Sequence, residues 1–200
     1  MRRSLTLALT ALVITIGAAD LAGAKPPKGF SERKGNIYVH KASGARFPAQ
    51  VAGFTRSEEH GLDPKGHDIG ITYRAEIGGK PVVSHVALVH VVGMTPHDHF
   101  TAMRPIVGTY FQDDGLSRFR LAGDGPYSPP RLKAFSGWQG RFSALHGKEP
   151  YGASLSTIRF GKYWSARMTA AYPSALAPEA QARLNELATA LLSTGPKHRG

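Results

Sequence analysis

The stretch IGITYRAEIGGKPVVSHVALVHVVGMTPHDHF, Ile69–Phe100, decides the fold class. Ile69, Ile71 and Tyr73 alternate with Thr72 and Arg74, and a period of two puts the first set on one face of a strand. Gly78-Gly79 supplies a tight hairpin turn. The near-continuous apolar run Pro81 to Val92 then predicts a central strand covered on both faces. A helix follows at once. Thr95 can cap it, Pro96 fits its first position, and Asp98 completes a variant of the capping box. Phe100, Met103, Val107, Tyr110 and Phe111 continue at three- and four-residue spacing, while Pro105 should bend or split the helix. Asp113-Asp114-Gly115 marks its end.

Strand signals extend in both directions from this unit. Upstream, Ile37 to His40 is a short strand, Ser43-Gly44 a turn, and Val51 to His60 a second strand. Asp63-Pro64-Lys65-Gly66 has the residue order of a type I turn. Downstream, Lys133 to His146, Tyr151 to Phe160 and Tyr163 to Tyr172 read as strands, the last two joined by a two-residue type II′ turn at Gly161-Lys162. That turn sets Leu155 opposite Met168 and Thr157 opposite Ala166. Trp164, Ala166, Met168 and Ala170 would then share a buried face with Ala153 and Leu155. Ser154, Ser156, Ser165 and Arg167 would look outward, and Arg159 and Arg167 would point to opposite faces. Pro178 and Glu179 open a last helix with Ala180, Leu184, Leu187 and Leu191 as its stripe. The fold class is α+β: an antiparallel sheet sandwiched by helices, one central and one C-terminal.

The first 24 residues read as an address. Arg2 and Arg3 precede the apolar run Leu5 to Ala19, and Ala22-Gly23-Ala24 offers a signal peptidase its small-x-small pattern. The run falls short of the roughly 20 residues a membrane span needs, and Asp20 closes it. The expected organisation is a signal peptide at 1–24 and a flexible basic lead-in at 25–36. A single domain at 37–192 and a disordered tail at 193–200 complete it, the product being periplasmic or secreted after cleavage behind Ala24. Lys and Arg number 25 against 14 Asp and Glu, a net charge of +11. Losing Arg2, Arg3 and Asp20 would leave +10. Such a surface attracts anionic lipid, lipopolysaccharide, acidic glycans or nucleic acid, and export makes nucleic acid a poor candidate. The chain contains no cysteine, which excludes disulfides, lipidation at a mature Cys, thiol catalysis and Cys-ligated zinc.

His97-Asp98-His99 is the most suggestive chemical group, because imidazole and carboxylate ligate zinc. On the first turn of a helix, however, residues two apart point about 200° around the axis. Asp98 moreover has a capping role, so His97 and His99 are only weak metal candidates. His85 and His90, five apart on a strand, face opposite sides of the sheet. His60, His67 and His146 sit near loops. Ser31-Glu32-Arg33-Lys34 matches Ser-x-x-Lys, but its companion motifs Ser-Asp-Asn and Lys-Thr-Gly are missing. Lys133, Arg141, Arg159, Lys162 and Arg167 gather in the second β region. No catalytic residue and no cofactor is assigned. Three functions stay open: an exported, soluble, non-enzymatic binding or accessory protein of the bacterial envelope; a basic polyanion or membrane-surface binder; and a metal-assisted hydrolase. The partner is an unknown envelope protein or an acidic surface, and the chain after Ala24 shows no transmembrane segment.

The order of elements over most of 37–192 resembles the PsbP-like domains. The resemblance is carried by the early hairpin region, the long strand Val82 to Val92, and the helix from Pro96. The meander ending Tyr163-Trp164-Ser165-Ala166-Arg167-Met168-Thr169 and the closing helix Pro178 to Leu192 complete it. It implies an antiparallel sheet sandwiched by helices, in a family of mostly accessory or binding proteins. No functional residue carries over.

Overall fold

Ile69–Phe100 folds as two paired strands and a capped helix, and the other elements are arranged about them. The computed structural model describes residues 26, 28–61, 63 and 66–193, so the predicted leader at 1–24 and all of the predicted tail but Ser193 lie outside the described residues. The strands are β1 (Phe30–Arg33), β2 (Ile37–His40), β3 (Arg46–Pro48), β4 (Gln50–Val51), β5 (Phe54–Gly61), β6 (Asp68–Ile77) and β7 (Lys80–His90). Helix α1 (Pro96–Met103) then runs into a 3₁₀ segment, Arg104–Phe111. Strands β8 (Leu116–Tyr127), β9 (Gly137–His146), β10 (Glu149–Phe160) and β11 (Trp164–Pro173) and helix α2 (Ala177–Ser193) complete the chain.

One antiparallel sheet has the order β4-β5-β6-β7-β11-β10-β9-β8, and β1-β2-β3 form a small separate sheet. Gly78 and Gly79 take φ values of 57° and 73°, the mirror-image turn that glycine adopts freely, and set Ile77 opposite Lys80. The cap of α1 is reciprocal: the Asp98 N–H donates to Thr95 Oγ1 at 3.1 Å, and the Thr95 N–H to Asp98 Oδ2 at 3.0 Å. The α-helix gives way to 3₁₀ geometry at Arg104, next to Pro105, whose ring nitrogen cannot donate to the helix ladder.

The central strands are buried on both faces, and two layers cover them from opposite sides. Helix α2 and the small sheet pack on one face through Leu184, Leu187, Phe30 and Phe47, against Ile71, Val86 and Met168. Helix α1 and the 3₁₀ segment cover the other face through Phe100, Val107 and Phe111, against Phe142, Ala153 and Leu155. Both expected helices are present, and the α+β architecture follows. No helix among the described residues is long and apolar enough to cross a membrane.

Four local expectations need correction. The lead-in 25–36 is not all flexible: Phe30 is buried against Tyr38, His40 and Phe47, and this one aromatic anchors β1 to β2 within a Pro/Gly/Lys-rich stretch. The strand expected over Val51 to His60 is broken by a turn at Ala52-Gly53 into β4 and β5. Strand β8 was not foreseen, and the strand placed over Lys133 to His146 begins only at Gly137. β8 is an exposed edge with two register shifts, so it shows no alternation to read. Lastly, the β10–β11 loop has three residues, 161–163, which pairs Phe160 with Trp164, Leu155 with Thr169 and Thr157 with Arg167.

That slip of one residue changes which side chains of β11 share a face with those of β10, although Ala153, Leu155, Ala166, Met168 and Ala170 are all buried as expected. Ala153 and Leu155 face α1, while Ala166, Met168 and Ala170 face α2. Ser154, Ser156, Ser165 and Arg167 are buried rather than outward. Arg159 pairs with Ser165 and so shares the face of Arg167.

Gly140 is where α1 meets the sheet. A Cβ there would lie 2.6 Å from two ring atoms of the buried Phe100, whereas one at Gly123 would touch nothing within 4 Å. Gly140→Ala is therefore expected to cost about 1–3 kcal/mol in urea unfolding, and Gly123→Ala within about 0.5 kcal/mol of parent. Equal effects at both positions would refute this packing.

Candidate functional site

Polar groups are enclosed on both faces of the sheet. On the α2 face, Ser84 of β7, Ser154 and Ser156 of β10, and Gln139 of β9 lie under Gln181 and Asn185 of the helix. They line a cleft of about 70 Å³, with Met168, Ala170, Leu184 and Ala188 as its apolar walls. The cleft arises because serines stand at positions whose neighbours are apolar: Ser156 pairs with Met168, and Ser84 with Ala170. Gln139 Nε2 donates to Ser156 Oγ at 2.9 Å, Tyr127 Oη to Asn185 Oδ1 at 2.7 Å, and Gln181 Nε2 to Tyr172 Oη at 2.9 Å.

Ser84 differs from these. It is fully buried, and its Oγ has no hydrogen-bond partner among the described residues. A hydroxyl left so costs about 1–3 kcal/mol. Space for a water molecule needs roughly 10–15 Å³, so the cleft accommodates several waters or a group of a few heavy atoms. Burial pushes the Tyr127 phenol up to about 12. Burial also raises Tyr172, against the opposing pull of its Gln181 bond and the Arg141 guanidinium. Both phenols remain neutral hydrogen-bonding groups at ordinary pH. The cleft thus offers hydroxyls and amides, with cationic Arg141 close enough to act on Tyr172. Among the described residues no base lies within hydrogen-bond reach of Ser84 Oγ.

The α1 face holds a seam of different character. His99 Nδ1 lies 2.7 Å from Ser165 Oγ, and Thr157 Oγ1 donates to the Pro96 carbonyl at 2.6 Å. The Arg167 guanidinium lies 4.9 Å from the Tyr110 ring centre and donates to Met103 Sδ at 3.5 Å. A serine and a histidine at this distance resemble a nucleophile and its base. The imidazole, however, is pushed down to about 4 by burial and by Arg167, and both partners are almost wholly enclosed. The bond joins α1 to β11, and Ser165 also borders a hollow lined by Met94 and Trp164. Asp68 lies nearby, its carboxyl raised by burial while Arg167 draws it down and Asp63 adds to the rise.

The histidines disperse. His97 is exposed and packs on Trp138 with ring centres 4.3 Å apart, so His97 and His99 serve different partners. Among the described residues, no group of three or more His, Cys, Asp or Glu side chains could hold a metal. His85 accepts or donates at Thr72 Oγ1 over 3.0 Å on the α1 face, and His90 stacks on His67 at 5.1 Å toward the other. His40 was not singled out by sequence. It is fully buried, with Nε2 donating to the Gly66 carbonyl at 2.9 Å and Nδ1 therefore accepting from Ser43 at 2.7 Å. His146 packs on Tyr151, and the His60 side chain lies outside the described residues. Ser31, Glu32 and Arg33 belong to β1, and Lys34 lies in the turn that follows it. Lys133, Arg141, Arg159 and Lys162 are exposed, and Arg167 alone of that group is buried.

No family model matches the sequence, and no curated protein matches it. Solved structures with a similar layout include a point mutant of the protein Mog1, 11% identical with a TM-score of 0.41 over 84% of this chain and 94% of that one. The Saccharomyces cerevisiae Ran-binding protein Mog1p is 9% identical with a TM-score of 0.33, over 72% and 95%. At such scores the likeness carries no functional argument.

Burial of neutral His99 has a pH signature. Between the unfolded value of 6.5 and about 4, only the unfolded chain takes up the proton. Stability is therefore complete above the upper value and lost as pH falls toward the lower, on the order of 3 kcal/mol across the window. His40, also lowered by burial, adds to the same slope. In urea titrations between about pH 7 and 4, His99→Gln should flatten the dependence, and a slope identical to the parent would exclude His99 as its source.

Proposed function

We propose that this protein is an exported, non-enzymatic binding domain of the bacterial envelope, and that the cleft under α2 receives a small neutral polar group of its ligand. The observation that carries the reading is Ser84: a fully buried hydroxyl, without a partner among the described residues, in the wall of a cleft that combines hydroxyls and amides with the apolar walls of Met168, Ala170, Leu184 and Ala188. Such a group is costly to folding and useful to a guest that can hydrogen-bond it. The leader pattern at Arg2–Ala24 supports export, and the layout resemblance to PsbP-like domains supports an accessory role. The metal-assisted hydrolase has less in its favour, because His97 and His99 are engaged separately by Trp138 and Ser165.

Two experiments test the reading. Ser84→Ala should raise stability by about 1 kcal/mol, since it removes an unpaired buried hydroxyl. In amide NMR titrations with acetamide and glycerol, the parent should shift around Ser84, Ser154, Ser156 and Asn185, and Ser84→Ala should weaken that response. A destabilised Ser84→Ala, or shifts confined to other regions, would remove the cleft from consideration. For the address, expression with the natural leader should yield a product beginning at Lys25 outside the cytoplasm by intact mass. An uncut cytoplasmic chain would overturn export.

A further inference from the structure

The basic end of the sheet is built differently from the other. Two connections meet there, Val91–Thr95 between β7 and α1 and residues 161–163 between β10 and β11, tied by the Val91 N–H donating to the Tyr163 carbonyl at 2.7 Å. They carry Val92, 74% exposed, with Met94 and Tyr163 at 39% and 44%. Only Ile106 and Leu121 are comparably exposed large apolar side chains among the described residues. Between the two connections lies a hollow of about 110 Å³ lined by Met94, Trp164, Arg159 and Lys162.

The charge around this tip is unbalanced. Arg159 and Lys162 enter no ion pair among the described residues, and Lys162 Nζ sits 5.1 Å from the Tyr163 ring centre. Lys28 and Lys41 are exposed at the same end, where the Lys41 N–H donates to the Gly29 carbonyl and Gly29 lies beside Gly66. Arg131 and Lys133 stand on the β8–β9 connection, whose Ser136 carbonyl accepts the Arg159 N–H at 2.9 Å. Of the carboxylates here, Asp63 accepts from the His67 and Asp68 N–H groups, Asp98 accepts from the Thr95 N–H and hydroxyl, and Asp68 is partly buried with its Oδ1 unpartnered among the described residues. At the opposite end Arg74 pairs with Glu58 and Asp114 and Lys80 with Glu149, while Arg118, Arg120 and Lys148 enter no ion pair among the described residues and have no projecting apolar loop beside them comparable to Val92.

We infer that this tip docks on an anionic phospholipid surface. Val92, Met94 and Tyr163 enter the headgroup layer, Arg159 and Lys162 hold a lipid phosphate at the hollow, and the surrounding lysines and arginines supply longer-range attraction. Projecting apolar loops among unpaired cations fit a deformable, negatively charged interface better than a rigid protein groove. Tyrosine, with an apolar body and a polar tip, is suited to that depth. The site shares no residue but the sheet with the cleft under α2, so either can fail without the other.

The test uses the chain from Lys25 onward, which carries every described element and both hydrophobic clusters. Sedimentation with phosphatidylcholine vesicles containing about one-third phosphatidylglycerol should pull the protein down at low salt and release much of it at about 0.5 M salt. Pure phosphatidylcholine should retain at least about ten-fold less. Val92→Ser/Met94→Ser and Arg159→Gln/Lys162→Gln should each lower binding about ten-fold, while Arg118→Gln/Arg120→Gln on β8 should stay within about two-fold. Tyr163→Ser, a single exposed change, serves if a double variant fails to melt like the parent. The inference is overturned by equal binding to neutral vesicles, by tip variants that bind as the parent does, or by no vesicle binding at all. Retention on poly-glutamate without vesicle binding would assign the tip to an acidic protein instead.

Discussion

The pairing of β7 with β11 holds the molecule together. The two strands meet in the middle of the sheet from Val83 opposite Ala171 to His90 opposite Trp164, and each is covered by a different layer on each face. A strand in that position has no solvent side, so any polar residue on it must find a partner inside a layer or be left with none. Ser165 finds His99, and the Arg167 guanidinium finds Tyr110 and Met103. Ser84 finds nothing among the described residues. The two polar inclusions are therefore consequences of placing hydroxyls and a guanidinium on strands with no outside.

These inclusions differ in kind because the layers above them differ. Helix α1 sits close, with Phe100 pressed onto Gly140, and its polar contacts with the sheet include the direct bonds between His99 and Ser165 and from Thr157 to the Pro96 carbonyl. Helix α2 presents Gln181 and Asn185 at its margin, and a cleft remains between them and the serines. The first arrangement locks an element in place and carries a pH cost. The second keeps a polar volume available.

How much of this could be read beforehand depended on which physics wrote it. The cap of α1 was legible because Thr95, Pro96 and Asp98 act within one turn, and so were the Gly78-Gly79 hairpin and the α2 stripe. The β10–β11 register was not: both faces of β11 are buried, so alternation of apolar residues contains no information about which face is which. Expecting only one buried face turned Ser154 and Ser156 outward and hid the cleft, whose lining also comes from β7, β9 and α2. β8 escaped notice since an exposed edge with bulges, Gly123, Gly125 and Pro126 has neither strand periodicity nor an apolar face. Phe30 was masked by the composition of its neighbours, although one aromatic was enough to bring β1 to the small sheet.

The β7–β11 ladder also sets the order in which the chain can acquire structure. Its partners are far apart in sequence, and between them lie α1 and three complete strands. The hairpin β6–β7 can form locally, but its second edge stays unsatisfied until β11 exists, and α2 has no surface to cover before that. Loop closure on this scale slows folding. A chain emerging from its N-terminus therefore lacks its central strand pairing until nearly all of it is present. The large sheet is complete only once β11 has paired with β7.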